Sequence, residues 1–149
     1  MFFKTAQYNR TTILKILEKL TPEQLSYIPK GYKNHILWNI AHLLVTEQLL
    51  TYKLSGLEIK IDPRFVTLYS KGATPKKTIT QKEIEAIKTQ LIPAIKQTEK
   101  DYKKGTFKTY KAYPTSTGIT LNNIDEALQF NILHEGIHLG IIVSIKKQL

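Results

Sequence analysis

The chain has 149 residues, 42% of them hydrophobic and 23% charged, and this balance excludes an intrinsically disordered protein. The length fits a single domain, residues 1–149, with a hydrophobic core of its own. Lysine and arginine outnumber aspartate and glutamate by 22 to 12, for a formal net charge of +10. Because the sequence contains no cysteine, disulfides, thiolate metal sites and a cysteine nucleophile are excluded.

The positive charge raises the question of a nucleic-acid or membrane partner. Most of it is lysine, concentrated between residues 76 and 111, and the only arginines are Arg10 and Arg64. Since base-specific recognition relies largely on arginine, we interpret the lysines as a solvated face and expect no specific nucleic-acid partner. The longest apolar stretch, residues 137–145, is about half the length of a membrane span. The first residues lack the features of a signal peptide, so we expect no membrane partner and a cytoplasmic location.

Two long helices are predicted in the first third of the chain. The first covers residues 3–20, with Ala6, Ile13 and Leu17 on one face, and ends before a Thr-Pro pair that is typical of a helix start. The second begins at the N-cap residue Asn34 and ends at Gly56. Its apolar residues form two stripes, which predicts a helix surrounded by several neighbours.

The connection that follows, residues 57–79, is predicted to contain a short helix after its Asp-Pro pair. A third long helix then opens with the capping box Thr80 to Glu83, and its outer face is rich in lysine, glutamine and threonine. The next loop contains Tyr110 and Tyr113, for which packing is a more common role than lining a pocket.

The fourth long helix begins at Asn123 and ends with lysines. Its inner stripe is predicted to contain Phe130, His134, Ile137 with His138, Ile141 and Ile145. Four long helices without sustained strand alternation predict an all-α protein, a four-helix bundle with long connections.

Two of the four histidines, His134 and His138, are four residues apart and therefore lie on one side of the fourth helix. This pair can bind one divalent cation, and His42, in an apolar stripe of the second helix, is the candidate third ligand. Three buried imidazoles each need a polar partner, and a shared cation provides it. His35 lies about 10 Å along the helix from His42, too far to share the cation. The alternative is three separate core histidines with hydrogen-bonded rings.

The segment 134–138 also matches the zincin signature H-E-x-x-H, in which the glutamate is a general base. However, the eleven residues after His138 offer no His, Asp or Glu as a third ligand, which argues against a protease. We interpret Glu135 as a residue that orients a ligand ring or faces solvent. Trp38, one turn from His42, is expected to form an apolar wall of the site.

Two segments together resemble the DinB-like (DNA-damage-inducible) superfamily of metalloenzymes: Trp38-Asn39-Ile40-Ala41-His42-Leu43 and His134-Glu135-Gly136-Ile137-His138-Leu139-Gly140. The lead-in 118–122 also fits, and the resemblance extends over essentially the whole chain. It implies a bundle in up-down-down-up order and a divalent metal, often nickel or zinc, held by three histidines. By position these are His42, His134 and His138. Many members have Gly-Gln where this chain has Gly140-Ile141, so any role of that glutamine is absent here.

The resemblance also implies a small-molecule substrate. Relatives include thiol-dependent transferases that use low-molecular-weight thiols such as bacillithiol or mycothiol, and a maleylpyruvate isomerase. We therefore expect a metal-dependent thiol S-transferase, with such a thiol as co-substrate, or a hydrolase. Members are commonly homodimers. No residue is assigned as a catalyst, and two alternatives stay open: a non-enzymatic basic module that binds nucleic acid, and a catalytically inactive metal-binding protein.

Overall fold

Helices make up most of the protein in the computed structural model, which describes all residues, 1–149. The four long helices are α1 (Phe2–Leu17), α3 (Ile36–Gln48), α5 (Gln81–Lys103) and α6 (Ile124–Lys146). The short ones are α2 (Pro22–Ser26) and α4 (Arg64–Tyr69), and α3 continues directly into a π-helical segment, Leu49–Lys53, called the π turn below. A two-residue antiparallel pair, β1 (Tyr113–Pro114) and β2 (Thr120–Leu121), precedes α6. The predicted all-α fold is confirmed.

Each long helix packs mainly against two others. Helix α1 contacts α5 and α6, and α3 contacts the same two helices from the other side. The bundle therefore has the cyclic order α1, α5, α3, α6, in which α1 lies diagonally opposite α3 and α5 lies diagonally opposite α6, whereas α3 and α5 are neighbours. The diagonal placement explains the long connections from α1 to α3 and from α5 to α6, because a tight hairpin loop joins only adjacent helices.

Helix α3 forms the centre of the core. Every residue from Ile36 to Val45 is buried, and both short helices also pack against α3. The two apolar stripes predicted a helix among several neighbours, and the structure agrees. The largest apolar cluster joins this helix to the inner faces of α1, α5 and α6.

The helix boundaries correct two details of the sequence prediction. Helix α1 ends at Leu17 rather than Leu20. The N-cap of α3 is His35 rather than Asn34, because the His35 ring nitrogen Nδ1 accepts a hydrogen bond of 3.0 Å from the backbone N–H of Trp38. The predicted caps at Thr80 and Asn123 are both observed, with their side chains bonded to the first turns of α5 and α6.

The inner face of α6 differs from the predicted stripe. Ile137 is 49% exposed, whereas Asn131 and Glu135 are almost completely buried. Helix α6 is apolar on nearly every side, so its pattern alone does not select the face that is buried. A charge decides the matter, because the Glu135 carboxylate is bonded to Arg10 of α1.

Arg10, Glu47 and Glu135 form a fully buried ionic cluster that joins the long helices. Arg10 donates from Nε to Glu135 over 2.9 Å and from Nη1 to the carbonyl of Leu91 in α5 over 3.1 Å, and it lies 3.4 Å from a carboxylate oxygen of Glu47 in α3. All three charged side chains have no exposed surface. Glu135 therefore neither orients a ligand ring by a hydrogen bond nor faces solvent, and that prediction was wrong.

Helix α6 is the one helix that is long and apolar enough, by length and composition, to cross a membrane. Core helices of globular bundles meet the same criterion. In this bundle the Glu135 side chain of α6 is bonded to Arg10 of α1.

Candidate metal centre

Three histidine rings from two helices meet at one point of the bundle. His42 of α3 lies 5.1 Å from His134 and 4.9 Å from His138 of α6, measured between ring centroids, and the two α6 rings are 4.5 Å apart. One ring nitrogen from each residue lies within 4.8 Å of the other two, so the group can hold a metal ion. The structure thus brings together the three residues that the sequence singled out. His35 is not among them.

Hydrogen bonds orient two of the rings. His42 donates from Nδ1 to the carbonyl oxygen of Tyr69 over 2.7 Å. His138 donates from Nδ1 to the Asn39 side-chain oxygen over 2.8 Å, and Asn39 in turn donates to the carbonyl of His35. Because a carbonyl oxygen only accepts, both rings carry their proton on Nδ1 and leave Nε2 free of a proton. Such outer partners are typical of histidines that bind metals.

The third ring, that of His134, has a nitrogen without a hydrogen-bond partner. Nδ1 of His134 is buried and makes no hydrogen bond. An unpaired buried nitrogen of this kind is costly, since its solvation is lost and not replaced. The residues present therefore fit a cation, which supplies a partner to a group of rings that the protein leaves incompletely bonded.

Burial makes all three histidines poor bases. Loss of solvation lowers the pKa of His134 to about 3, with a further contribution from His138 and His42. Burial and the nearby His42 lower the pKa of His138 to about 4, and burial lowers the pKa of His42. The rings are thus neutral at pH 7, which is the form that binds metal ions.

Aromatic side chains cover the rings on two sides. Trp38 stacks on His42 with ring centroids 4.7 Å apart and planes inclined by 14°, as expected for an apolar wall. Phe130 stacks on His134 at 6.3 Å. These contacts exclude water from one face of each ring, so charges placed at the site interact in a medium of low dielectric constant.

A cavity of about 260 Å³ opens beside His42 and His134. Its walls come from α3 and the π turn, from the two residues after α4, from the β1–β2 hairpin and from α6. Tyr113 lines this cavity, so the expectation of mere packing was wrong for it. Tyr110 packs as expected, with its hydroxyl bonded to the carbonyl of Leu50. A wider groove of about 770 Å³ shares Leu49 and Lys53 with this cavity, and no histidine lines it.

Comparison with protein families identifies the fold type. The model of the DinB superfamily matches residues 6–142, which include all three histidines of the site. The chain belongs to the DinB superfamily. Among curated proteins, no match to this sequence is found. Membership in the DinB superfamily and the three-histidine cluster are together compatible with a metal-binding protein of this type.

Some residues around the site were missed from the sequence. In the sequence analysis Arg10 contributed only to the net charge. It has the same helical spacing as Ala6 and Leu17 on the inner face of α1, and this spacing could have predicted that Arg10 is buried. Lys53 and Lys71 line the cavity without any local pattern that distinguishes them from the other lysines. Their positions depend on how distant segments meet.

Proposed function

We propose that the protein is a metal-dependent enzyme that activates a thiol or water for reaction with a small-molecule substrate, as a thiol S-transferase or a hydrolase. In this proposal His42, His134 and His138 hold a divalent cation, nickel or zinc. The observation that supports it best is the convergence of three neutral imidazoles next to a cavity, one of them with an unpaired buried nitrogen.

The cation would supply Lewis acidity, which lowers the pKa of a thiol or water at its open positions. The chain's own residues do the positioning. The Tyr69 carbonyl and the Asn39 side chain hold the His42 and His138 rings with Nε2 unprotonated, and Trp38 excludes water from one face of His42. No carboxylate lines the cavity, so no side chain is assigned as general base.

The zincin mechanism does not fit this site. Its general base would be Glu135, but this carboxylate is bonded to Arg10, Asn9 and Asn131 on the buried side of α6. A residue that is fully buried and bonded to an arginine is not available to take a proton from a substrate.

Metal content of purified variants tests the proposed site. We expect about one cation per chain in the wild-type protein and a loss of most of it in His42→Ala, His134→Ala or His138→Ala, because two ligands seldom retain a labile ion. Elemental analysis measures this. The matched control is His35→Asn, which keeps an N-cap acceptor at the start of α3 and should keep the metal.

Two results would contradict the site. Stoichiometric metal in His42→Ala would show that α3 does not supply the third ligand. A wild-type protein without stoichiometric metal, whose histidine variants lose stability independently, would indicate three separate core histidines.

The two activities make different products. Metal-loaded protein that consumes a free low-molecular-weight thiol together with an alkylating electrophile is an S-transferase, whereas release of acid from an ester or amide without thiol indicates a hydrolase. Protein that binds metal but does neither would support the inactive metal-binding alternative.

The homodimer and the cytoplasmic location stay predictions. Light scattering tests the homodimer, which should have twice the mass of one chain.

A further inference from the structure

The cavity beside the histidines is lined by positively charged residues and by no negatively charged one. The charged side chains that line it, apart from the histidines, are Lys53 at the end of the π turn and Lys71 after α4, and no acidic residue lines it. Neither lysine forms a salt bridge with any carboxylate of the chain. Many lysines of this chain are unpaired, and these two differ from the others in position, because both line one small cavity that no acidic residue lines. Both are exposed, and Lys53 also lines the adjoining groove.

A buried hydroxyl in the same wall lacks a partner. Ser70 lines the cavity, and its Oγ is buried without a hydrogen bond. Ser70 lies between Tyr69, whose carbonyl accepts the Nδ1 proton of His42, and Lys71. One segment of three residues therefore orients a histidine of the site and contributes a serine and a lysine to the wall of the cavity. A polar ligand would supply the missing hydrogen bond.

The rest of the lining surface is largely apolar, although it also includes four serine and threonine residues. Leu50, Leu54 and Phe130 contribute to it. Lys53 is eleven residues after His42, which corresponds to roughly 16 Å along a helix. The volume of about 260 Å³ lies near the lower end of the range of small-molecule sites, so the cavity suits a small molecule.

We propose that this cavity binds a small substrate with an apolar body and an anionic group, a carboxylate or a phosphate, which Lys53 and Lys71 bind while Ser70 donates a hydrogen bond. The inference deepens the proposed function by naming its substrate class. The recognition of the anion depends on the lysines and not on the cation, so it can be tested without metal.

Binding of three six-carbon probes tests the proposal: hexanoate, hexyl phosphate and the neutral hexanamide. Metal-free and zinc-loaded protein are titrated with each, by calorimetry and by the fluorescence of Trp38, the only tryptophan, which stacks on His42. We expect at least one anion to bind about tenfold more tightly than the amide in both forms. Tighter binding of hexanoate or of hexyl phosphate identifies the anion as carboxylate or phosphate.

Lysine variants test which residues cause the preference for anions over the amide. Lys53→Met and Lys71→Met should each weaken anion binding about three- to fivefold, and together at least about tenfold, with little effect on the amide. The control is the double variant Lys96→Met/Lys108→Met, which removes the same charge at exposed positions away from the cavity. It should change the affinity less than about twofold. Circular dichroism verifies that the variants fold.

The outcomes separate this inference from the proposed function. Equal binding of anions and amide, no binding at all, or an anion preference that requires zinc and survives the double cavity variant would each overturn the inference, even in a protein that binds metal. A lysine-dependent anion preference in a protein that holds no stoichiometric metal would uphold it while the proposed metal centre fails.

Discussion

At the residue scale, the environment of each histidine determines its role. His42, His134 and His138 lie in apolar surroundings next to one another, so a proton on any of them is unfavourable and the neutral rings are retained. His35 is also buried, but its two ring nitrogens bond to the backbone N–H of Trp38 and the carbonyl of Lys76, which makes it a structural residue at the start of α3.

The depressed histidine pKa values predict how the metal-free protein responds to pH. His134 and His138 titrate near pH 3 and 4 in the folded state and near the ordinary value of 6.5 when unfolded. Below pH 6.5 the unfolded chain therefore binds protons that the folded chain does not, and the free energy of unfolding falls as the pH drops. Urea unfolding of metal-free protein between pH 7 and pH 5 measures this decline.

A matched pair of variants tests whether the two histidines cause the fall of the free energy of unfolding with pH. His134→Gln and His138→Gln should each flatten the decline over the same interval, because one titrating group is removed. Stability that stays constant from pH 7 to pH 5 in the wild-type protein would contradict the burial of neutral rings.

At the scale of elements, the ionic cluster of Arg10, Glu47 and Glu135 determines how the long helices face each other. Its members come from α1, α3 and α6, and Arg10 also bonds to a carbonyl of α5. One positive and two negative groups are buried together, and burial raises the pKa of the Glu135 carboxyl despite the nearby Arg10. The cluster also positions α6 so that His134, next to Glu135, faces α3.

The charge count of the cluster predicts unequal effects of two substitutions. Arg10→Met leaves two buried carboxylates without a cation and should lower the free energy of unfolding by about 3–5 kcal/mol. Glu135→Gln leaves the Arg10–Glu47 pair and keeps an acceptor for Arg10, so its effect should be less than half as large. Urea unfolding measures both.

Arg64→Met is the control, because Arg64 is 84% exposed and pairs with Asp62 only at the surface. It should change stability little. If Glu135→Gln destabilises as much as Arg10→Met, the excess negative charge is not what makes the cluster sensitive.

At the scale of the whole molecule, the proposed cation joins α3 to α6 and so links binding to folding. A ligand that binds only the folded state stabilises it, by about 2.7 kcal/mol at a free concentration one hundred times its dissociation constant. Zinc at that excess should therefore raise the free energy of unfolding of the wild-type protein by about this amount. Chemical unfolding with and without zinc measures the effect, and an equal rise in His134→Ala would contradict the site.

The net charge of +10 is a property of the whole surface and predicts weak binding to any polyanion. Electrophoretic mobility shifts with nucleic acid should disappear at physiological salt, because such binding depends on counterion release. Tight, sequence-dependent binding under those conditions would instead favour the basic nucleic-acid-binding module over the enzyme.

Much of the architecture and two of the three candidate ligands are local properties of the sequence. The caps at Thr80 and Asn123 act within one helical turn, so they could be predicted without any tertiary contact. The same holds for His134 and His138, since residues four apart lie on one side of any helix. His42 was the candidate third ligand because it lies in an apolar stripe of the second helix, and the resemblance to the DinB superfamily, confirmed by the family match, implied the same three histidines.

Only the tertiary structure decided which side of α6 is buried and what surrounds the histidines. Arg10 and Glu135 are 125 positions apart, and the Tyr69 carbonyl that orients His42 is 27 positions away. Helix α6 is apolar on nearly all sides, so its periodicity did not identify the buried face, and the prediction placed Ile137 in the core instead of Glu135. The position of the buried arginine resolved this, because a carboxylate is stable in a protein interior when it is paired, and pairing depends on contacts between distant segments.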